Sequence, residues 1–311
     1  MALPALVDKS APLVSLSSGD AGCMISSIEY NSARVTEGSL FVAIEGTQSD
    51  GHSYVRDAVD RGAPAVVVSS GRVAGFGDLG GKAALLASTD TRRALSILSA
   101  AFYGFPSSGM TVIGVTGTNG KTSITYMLES ILKSAGRTPG VIGTINYRWK
   151  GGLVPAPNTT PESRDVQEIV RAMADDGVDA LVMEVSSHGL KLGRVDDVEF
   201  DAGVFTNLTR DHLDFHLTFE DYFASKLRLF DLVGRSSIIT QLRQTIEKVA
   251  PTGSRVLITG PAGSGKEVVA RLIHARSRRA RNPFVALNCA IMAPDRMEQE
   301  LFGVEGQDGV G

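Results

Sequence analysis

The chain has 311 residues, of which 43% are hydrophobic and 21% are charged, and its formal net charge is −3. These values are typical of an ordinary soluble globular protein with about two domains, or three small ones. No run approaches the roughly 18 apolar residues of a membrane span. The N-terminus lacks the basic residues of a secretory signal. The two cysteines, Cys23 and Cys289, match no metal-site spacing and predict free thiols. The sequence therefore predicts a cytoplasmic protein.

Residues 1–108 are predicted to form a small α/β domain. Runs of apolar residues predict buried strands, and apolar residues at helical spacing predict amphipathic helices. The strands are predicted at 39–44 and 65–68, and the helices at 54–61 and 91–103, the second capped by Asp90 or Thr91. The glycine-rich stretch from Gly71 to Gly81 predicts a loop.

The segment Thr111-Val-Ile-Gly-Val-Thr-Gly-Thr-Asn-Gly-Lys-Thr-Ser123 has the pattern of a strand, a glycine loop and the start of a helix. Such a loop binds phosphates through its backbone N–H groups and the helix N-terminus. Lys121 can reach the outer phosphates, and the Thr122 hydroxyl suits Mg²⁺. The alternative is an ordinary glycine-rich turn. The common pattern G-x-x-x-x-G-K-[ST] would place its first glycine at 115, where Val115 stands; the glycine is at 114.

Residues 109–231 continue with alternating strands and helices, which predict an α/β fold with a mostly parallel sheet. The strands are predicted at 140–145, 180–184 and 200–205. The helices are predicted at 162–175, with Pro161 in the first turn, and at 222–230. Ligands bind at the carboxyl ends of such strands. Thr116–Thr122, Glu184 and Asn207–His212 fall there.

Three polar clusters accompany the loop. Asn158-Thr-Thr-Pro161 is either a helix cap or a binding loop. Glu184-Val-Ser-Ser-His-Gly189 places a carboxylate at the end of a buried strand, where it needs either a partner or a cation. Asn207-Leu-Thr-Arg-Asp-His-Leu-Asp-Phe-His216 is dense in charged and imidazole groups. Together with the phosphate loop, these clusters favour a functional site.

With these motifs, residues from about 25 to 231 resemble the ATP-dependent Mur ligases of the MurE type. The motifs that carry the resemblance follow in the family's order. They are Ser39-Leu-Phe-Val-Ala43 with Asp50-Gly51-His52, Thr116–Thr122, Asn158–Pro161, Glu184-Val-Ser-Ser-His-Gly-Leu190, Phe205-Thr-Asn-Leu-Thr-Arg-Asp-His-Leu-Asp214 and Tyr222-Phe-Ala-Ser-Lys226.

The resemblance implies a role for each matching residue. ATP would be held by Thr116, Gly117, Thr118, Asn119, Gly120, Lys121 and Thr122. Mg²⁺ would lie near Thr122, Glu184 and His212, with Lys226 as a carbamylated lysine that holds a second Mg²⁺. Lys121, Lys226 and His212 would be the catalytic residues. Ser32, Thr47, Gln48 and Ser49 would contact the uridine nucleotide, and Asn158, Thr159, Thr160, Ser186 and Arg194 the muramoyl-dipeptide. Leu192 departs from the polar Gln of many relatives.

The implied reaction is the ATP-dependent addition of the third stem-peptide amino acid to UDP-MurNAc-L-Ala-D-Glu. The carboxylate of the D-glutamyl residue attacks the γ-phosphate of ATP, and the amine then displaces phosphate from the acyl phosphate. Positioning and electrostatic stabilisation supply most of such catalysis.

Residues 232–311 suggest a different origin. They hold 11 Lys and Arg against 7 Asp and Glu, whereas the rest of the chain is acidic. A helix at 238–250, a strand at 255–259 and a second phosphate loop follow one another. This segment resembles the AAA+ domain of enhancer-binding response regulators of the NtrC/NtrX type. The predicted nucleotide contacts are Gly260, Gly263, Gly265, Lys266 and Glu267. The basic run 276–281 is interpreted as a solvated helix end, not a nucleic-acid contact.

The resemblances predict three domains, at 1–108, 109–231 and 232–311. A complete Mur ligase would continue with the rest of its central domain and a domain that selects the incoming amino acid, so an incomplete or inactive ligase is expected. The amino acid added and the oligomeric state stay undetermined. Two alternatives are a nucleotide-binding transcriptional regulator and a non-functional chimera.

Overall fold

The computed structural model describes residues 1–46, 49–77, 79–233, 237–260 and 266–286. The chain divides into two compact units, Met1–Thr240 and Gln241–Gly311. Within the described ranges, no helix is long and apolar enough to cross a membrane.

The first unit begins with a five-stranded sheet. Its strands are β1 (Val14–Ser18), β2 (Ser27–Glu29), β3 (Ser39–Val42), β4 (Ala65–Ser69) and β5 (Ala84–Ser88), in the order β1-β5-β4-β3-β2. All neighbouring strands are parallel except β1 and β5. β3 and β4 confirm the predicted strands. The short strands β1, β2 and β5 were not predicted.

Three α-helices accompany this sheet: α1 (Leu3–Ser10), α2 (Val55–Asp60) and α3 (Thr91–Phe102). α3 confirms the predicted helix, and the side chain of Asp90 caps it by accepting hydrogen bonds from the N–H groups of Arg92 and Arg93. Leucines of α1 and α3 share one core cluster, and α2 belongs to another. The stretch predicted as a loop contains short 3₁₀ turns at Ser70–Gly75 and Leu79–Gly81.

A six-stranded sheet follows, in the order β11-β6-β10-β7-β8-β9. Its strands are β6 (Thr111–Thr116), β7 (Pro139–Ile142), β8 (Asn146–Trp149), β9 (Gly152–Pro155), β10 (Ala180–Glu184) and β11 (Ala202–Phe205). β11, β6, β10 and β7 are parallel, as predicted, and β8 and β9 add an antiparallel hairpin that was not predicted. The helices are α4 (Lys121–Ser134), α5 (Ser163–Asp175), α6 (Ser187–Lys191), α7 (Leu213–His216) and α8 (Phe219–Leu232).

The core of this sheet explains the displaced glycine of the first phosphate loop. All five residues of β10 are buried at the centre of the sheet. A Cβ at Gly114 in β6 would lie 2.8 Å from Cδ1 of Leu229 and 2.9 Å from Cε1 of Phe200. Gly114 lies inside β6 and lets α8 approach the strand closely, so its role is packing.

Two helix starts differ from the sequence predictions. α5 begins at Ser163 with Glu162 as its N-cap residue, so Pro161 precedes the helix and does not lie in its first turn. α8 begins at Phe219, three residues before the predicted start, because the Thr218 side chain caps it by accepting from the N–H of Asp221.

Past residue 233, the structure describes two helices, α9 (Ser237–Val249) and α10 (Lys266–Ala275). α9 confirms the predicted helix at 238–250. The strand predicted at 255–259 is wrong: these residues have no regular structure, and Leu257 is 89% exposed. A strand forms only where a neighbour supplies hydrogen-bond partners, and among the described residues none pairs with this segment. Gly263 and Gly265 lie outside the described residues.

Candidate nucleotide and metal site

The loop between β6 and α4 is closed by the side chain of Lys121. This lysine is the first residue of α4, after Gly120, whose positive φ of 82° ends the loop. Its Nζ donates hydrogen bonds to the carbonyl oxygens of Gly117 at 3.0 Å and Thr118 at 2.9 Å. Burial lowers the pKa of the Lys121 ammonium, although Glu184 and Asp211 oppose this effect. The ammonium thus lies over the loop that the sequence predicts to bind phosphate.

The segment after β11 holds the other side of the loop. The N–H of Thr118 donates to the carbonyl oxygen of Asn207 at 2.9 Å, and the N–H of Asn119 donates to Oδ1 of Asn207 at 3.0 Å. Gly117 has a φ of 140°, and a Cβ there would lie 2.0 Å from Oγ1 of Thr206. Within the part of the chain that the structure describes, the buried Oγ1 of Thr116 has no hydrogen-bond partner. Sequence reasoning placed Asn207 in a polar cluster but gave neither Thr206 nor Asn207 a role.

Glu184 and Thr122 meet beside this loop. Glu184 ends β10 and is only 1% exposed. Thr122 donates from Oγ1 to Oε2 of Glu184 at 3.1 Å, and Thr144 donates from Oγ1 to the same oxygen at 2.9 Å. Carboxylate and hydroxyl oxygens are the ligands that Mg²⁺ prefers. The residues therefore fit a magnesium ion next to bound phosphates. Sequence reasoning missed Thr144, which belongs to no recognisable motif.

His212 belongs to a group of aromatic rings. It has a positive φ of 52° and a half-exposed side chain. Its ring centroid lies 5.0 Å from that of His188 and 6.2 Å from that of Tyr222. Of the three predicted metal ligands, Thr122 and Glu184 are hydrogen-bonded to each other. The described contacts of the third, His212, are with these rings and with Asp211.

Lys226 is a buried lysine directly behind the phosphate loop. It lies in α8, is 1% exposed, and donates from Nζ to the carbonyl oxygen of Gly117 at 2.7 Å. Burial, reinforced by the nearby charge of Lys121, lowers the pKa of Lys226 to about 7, although Asp211 opposes the change. A large share of this amine is therefore uncharged near neutral pH.

A cavity of about 490 Å³ lies between the two sheets of the first unit. It brings together Ser32, Ser49 and Arg194 of the predicted substrate residues; Thr47 and Gln48 lie outside the described residues. Arg194 donates from Nη1 to the carbonyl oxygen of Thr160 at 3.0 Å. Leu192, which departs from the family pattern, also lines this cavity. Sequence reasoning missed further lining residues, namely Tyr30, Tyr54, Arg92 and Glu162.

Charged side chains fix the wall of this cavity. Arg92 and Arg194 both contact Oε2 of Glu162, at 3.2 and 3.3 Å. Arg92 also donates to the carbonyl oxygen of Glu45 at 2.8 Å. Two guanidinium groups thus share one carboxylate, which leaves positive charge at the cavity for an anionic ligand.

The predicted muramoyl-dipeptide residues make local hydrogen bonds beside Glu184. The Thr160 hydroxyl donates to the carbonyl oxygen of Glu184 at 3.1 Å and accepts from the N–H of Ser186 at 2.9 Å. Ser186 caps α6, and Thr159 Oγ1 lies 3.0 Å from Thr144 Oγ1. The carbonyl oxygen of Asn158 accepts from the hydroxyl of Tyr147. The helix-cap interpretation of 158–161 is wrong, because Glu162 caps α5.

Another group of possible metal ligands consists of side chains that pair with one another. Glu45, Asp50 and His52 lie together. The N–H of Ser69 donates to Nε2 of His52 at 3.0 Å, so Nδ1 carries the proton and donates to Asp50 at 2.7 Å. Since Arg72 pairs with both carboxylates, this cluster stabilises the first sheet and has no free imidazole nitrogen for a metal.

A glycine loop between a parallel strand and a helix, with a carboxylate and a hydroxyl at its side, defines a nucleotide-binding α/β protein. Comparison with models of protein families then identifies the family of this chain. The Mur ligase middle domain matches residues 115–288, and the catalytic domain of the Mur ligase family matches residues 24–103. The chain belongs to the Mur ligase family.

Individual relatives agree with this assignment. The chain is 41% identical over 291 residues to the UDP-N-acetylmuramoyl-L-alanyl-D-glutamate–2,6-diaminopimelate ligase of Geobacter sulfurreducens, which covers 94% of this chain and 52% of that protein. It is 46% identical over 212 residues to the ligase of the same name from Bacillus velezensis, covering 68% and 42%. A solved structure of a ligase of this name has a TM-score of 0.57 and 28% identity, covering 67% of this chain and 41% of that one. The chain spans about half the length of the curated relatives it matches.

The comparisons give no support to the AAA+ resemblance of residues 232–311. The match to the Mur ligase middle domain runs from 115 to 288 and crosses the predicted boundary at 231.

Proposed function

We propose that the chain carries the ATP-binding and UDP-muramoyl-dipeptide-binding parts of a MurE-type ligase. The observation that supports this most is the convergence of Lys121, Thr122 and Glu184 on one glycine loop. The curated relatives carry the name of a ligase acting on UDP-N-acetylmuramoyl-L-alanyl-D-glutamate. On this proposal, residues 1–108 form the uridine-binding domain and residues 109–231 belong to the ATP-binding domain.

ATP and Mg²⁺ would bind at the closed loop. Lys121 would leave the carbonyl oxygens of Gly117 and Thr118 and turn its ammonium to the phosphates. Thr122 and Glu184 would hold Mg²⁺, with His212 approaching from the segment after β11. When bound, Mg²⁺ offsets the negative charge of the phosphoryl group during transfer. Carbamylation of Lys226 would add a carboxylate behind the loop.

The muramoyl substrate would span the two sheets. Its uridine nucleotide would occupy the cavity lined by Ser32 and Ser49, where Arg92 and Arg194 offset phosphate charge. The loop Asn158–Thr160 and Ser186 lie next to Glu184, so a dipeptide carboxylate placed there would face the phosphate loop. The names of the relatives make 2,6-diaminopimelate the first amino acid to test.

Isothermal titration of the purified chain with ATP–Mg²⁺ and then with UDP-MurNAc-L-Ala-D-Glu tests this proposal. We expect both ligands to bind, and ATP binding to be lost in Lys121→Ala. Lys82→Ala is the control, because Lys82 is 66% exposed, pairs with Asp60 on the other sheet and belongs to neither the loop nor its surroundings. Absence of heat from the muramoyl ligand would overturn the substrate assignment. ATP binding that persists in Lys121→Ala would overturn the assignment of the loop.

A second nucleotide site, as in an AAA+ regulator, is the competing proposal. α10 begins at Lys266, directly after the second glycine loop, and Lys266 donates from Nζ to the carbonyl oxygen of Gly260 at 2.8 Å. Lys121 likewise contacts carbonyl oxygens before its helix, but Lys266 follows no strand among the described residues. Titration with ATP decides between the two: loss of binding in Lys266→Ala but not in Lys121→Ala would favour the regulator, and the opposite result would favour the ligase.

A further inference from the structure

A second cavity lies at the other end of α4 from the phosphate loop. It has a volume of about 340 Å³, within the range of sites for small molecules. The last turn of α4, the start of β7 and the β8–β9 hairpin line it. Lys121 and Lys133 are about 18 Å apart along the helix, at 1.5 Å per residue. The cavity is therefore separate from the candidate nucleotide site.

Cations outnumber carboxylates in the lining of this cavity. The lining contains one carboxylate, that of Glu129, and four cations, namely Lys133, Arg137, Arg148 and Lys150. Glu129 accepts from Lys133 Nζ and from Arg148 Nε, each at 2.7 Å. Burial opposes ionisation of Glu129, but these hydrogen bonds hold its pKa below the ordinary value. The Glu129 carboxylate thus pairs with both Lys133 and Arg148.

The other cations of the lining differ in how they are paired. The Arg148 guanidinium is held by Glu129, with Nη2 2.7 Å from Oε2, and by Asn146, whose Oδ1 accepts a hydrogen bond from Nη1 at 3.1 Å. Arg137 pairs with Asp179, which lies outside the lining. Lys150 is exposed, and within the described residues it makes no ion pair. These groups leave a net positive charge for an anion to offset.

The position of Lys150 is conformationally unfavourable for a lysine. Lys150 and Gly151 form the two-residue turn between β8 and β9, and both have positive φ, 47° and 81°. Asn and Gly are the residues that favour such a turn. A lysine held there at the rim of a cationic cavity indicates a role for its charge.

We propose that this cavity binds a small phosphate-bearing molecule. Lys133, Arg137 and Lys150 would surround the phosphate, because ammonium and guanidinium groups form strong charge-assisted hydrogen bonds to it. Trp149 and Leu153, which also line the cavity, would contact the rest of the molecule. The concave shape favours a soluble ligand over the headgroups of a flat membrane.

Trp149 gives this site its own signal, because it is the one tryptophan in the sequence. We would titrate the metal-free protein with inorganic pyrophosphate and follow tryptophan fluorescence. We expect a saturable change with the same Kd in wild type and in Lys121→Ala. Lys150→Gln should raise this Kd about fivefold, the effect of one exposed charge pair. Lys82→Gln, at an exposed lysine of the other sheet, should leave it unchanged.

Lys150→Asn separates a binding role from a structural one. Asn suits the left-handed turn, so this variant should melt at a higher temperature and yet bind pyrophosphate about fivefold more weakly. Unchanged affinity in Lys150→Asn and Lys150→Gln would overturn the proposal, as would a fluorescence change that disappears in Lys121→Ala. A response to phosphatidylglycerol vesicles without one to pyrophosphate would overturn the soluble ligand and assign the phosphate to a lipid.

Discussion

At the scale of single residues, the candidate nucleotide site depends on two glycines with positive φ, Gly117 and Gly120. Gly117 combines a φ of 140° with a Cβ position 2.0 Å from Thr206 Oγ1. Gly120 has a φ of 82°, but a Cβ there would meet nothing within 4 Å. A side chain at position 117 would therefore meet both a steric overlap and backbone strain, whereas one at position 120 would meet backbone strain alone.

Substitution of these two glycines should have unequal effects. We expect Gly117→Ala to lower the free energy of unfolding by about 2–4 kcal/mol, since strain and overpacking add. Gly120→Ala should cost about 1–2 kcal/mol, from the left-handed conformation alone. Urea denaturation measures both values. Equal costs would contradict the close approach of Thr206 to the loop.

Lys226 should react with carbon dioxide. The amine must be uncharged to form a carbamate, and burial lowers its pKa to about 7. We expect the carbamate signal of protein in ¹³C-bicarbonate, followed by NMR, to rise as the pH rises through about 7. Lys226→Arg should abolish this signal, whereas Lys133→Arg should retain it. A signal that survives in Lys226→Arg would assign the modification to another lysine.

At the scale of elements, α5 connects the two sheets of the first unit through Arg164. This side chain is 4% exposed and donates from Nη2 to Oε1 of Glu29 at 3.0 Å and from Nε to the carbonyl oxygen of Ile28 at 2.9 Å. Tyr30 donates to Asp165, the next residue of the helix, at 2.6 Å. β2 and α5 are therefore joined by a buried, charged contact, and Tyr30, which follows β2, also lines the cavity between the sheets.

Removal of Arg164 should destabilise the first unit strongly. Arg164→Ala leaves the buried Glu29 carboxylate with only the half-exposed Arg34, 3.5 Å away, and we expect a loss of about 3–5 kcal/mol. Arg171→Ala on the same helix removes an exposed pair with Asp175 and should leave the free energy of unfolding almost unchanged. Chemical denaturation compares the two. A similar small effect for both variants would show that the contact with β2 contributes little.

At the scale of the whole molecule, the two units differ in how much core they bury. Four clusters of buried hydrophobic residues lie in the first unit. Among the described residues from 241 onward, the buried hydrophobic side chains are Ile246, Ala250 and Leu272. Burial of apolar surface is the main favourable term in folding, so the described helices of the second unit should be held less firmly.

Hydrogen exchange followed by mass spectrometry should detect this difference. We expect the amides of α10 to exchange at least tenfold faster than those of α5, because local opening requires less free energy where few apolar contacts are buried. Peptides from α3 serve as a second reference within the first unit. Equal protection of α10 and α5 would contradict the expectation.

The sequence by itself determined the elements whose signals are local. The alternation of strands and helices predicted a mostly parallel sheet, and the spacing of glycines, Lys121 and Thr122 predicted the loop that joins β6 to α4. Asp90 was one of the two residues predicted to cap α3, and the structure selects it. These features depend on neighbouring residues and on apolar periodicity, both of which can be read along the chain.

Only the tertiary structure decided which distant groups meet. Thr144 reaches Glu184, and Arg92 and Glu162 line the cavity between the sheets, although no motif marks these residues. Asn207 lies in a recognised motif, but only the structure shows that it holds the phosphate loop. The β8–β9 hairpin and the cavity beside it also escaped sequence reasoning. The predicted strand at 255–259 was wrong for the same reason. A strand, a buried carboxylate and a binding cavity each require partners from elsewhere in the chain, and local sequence carries no record of them.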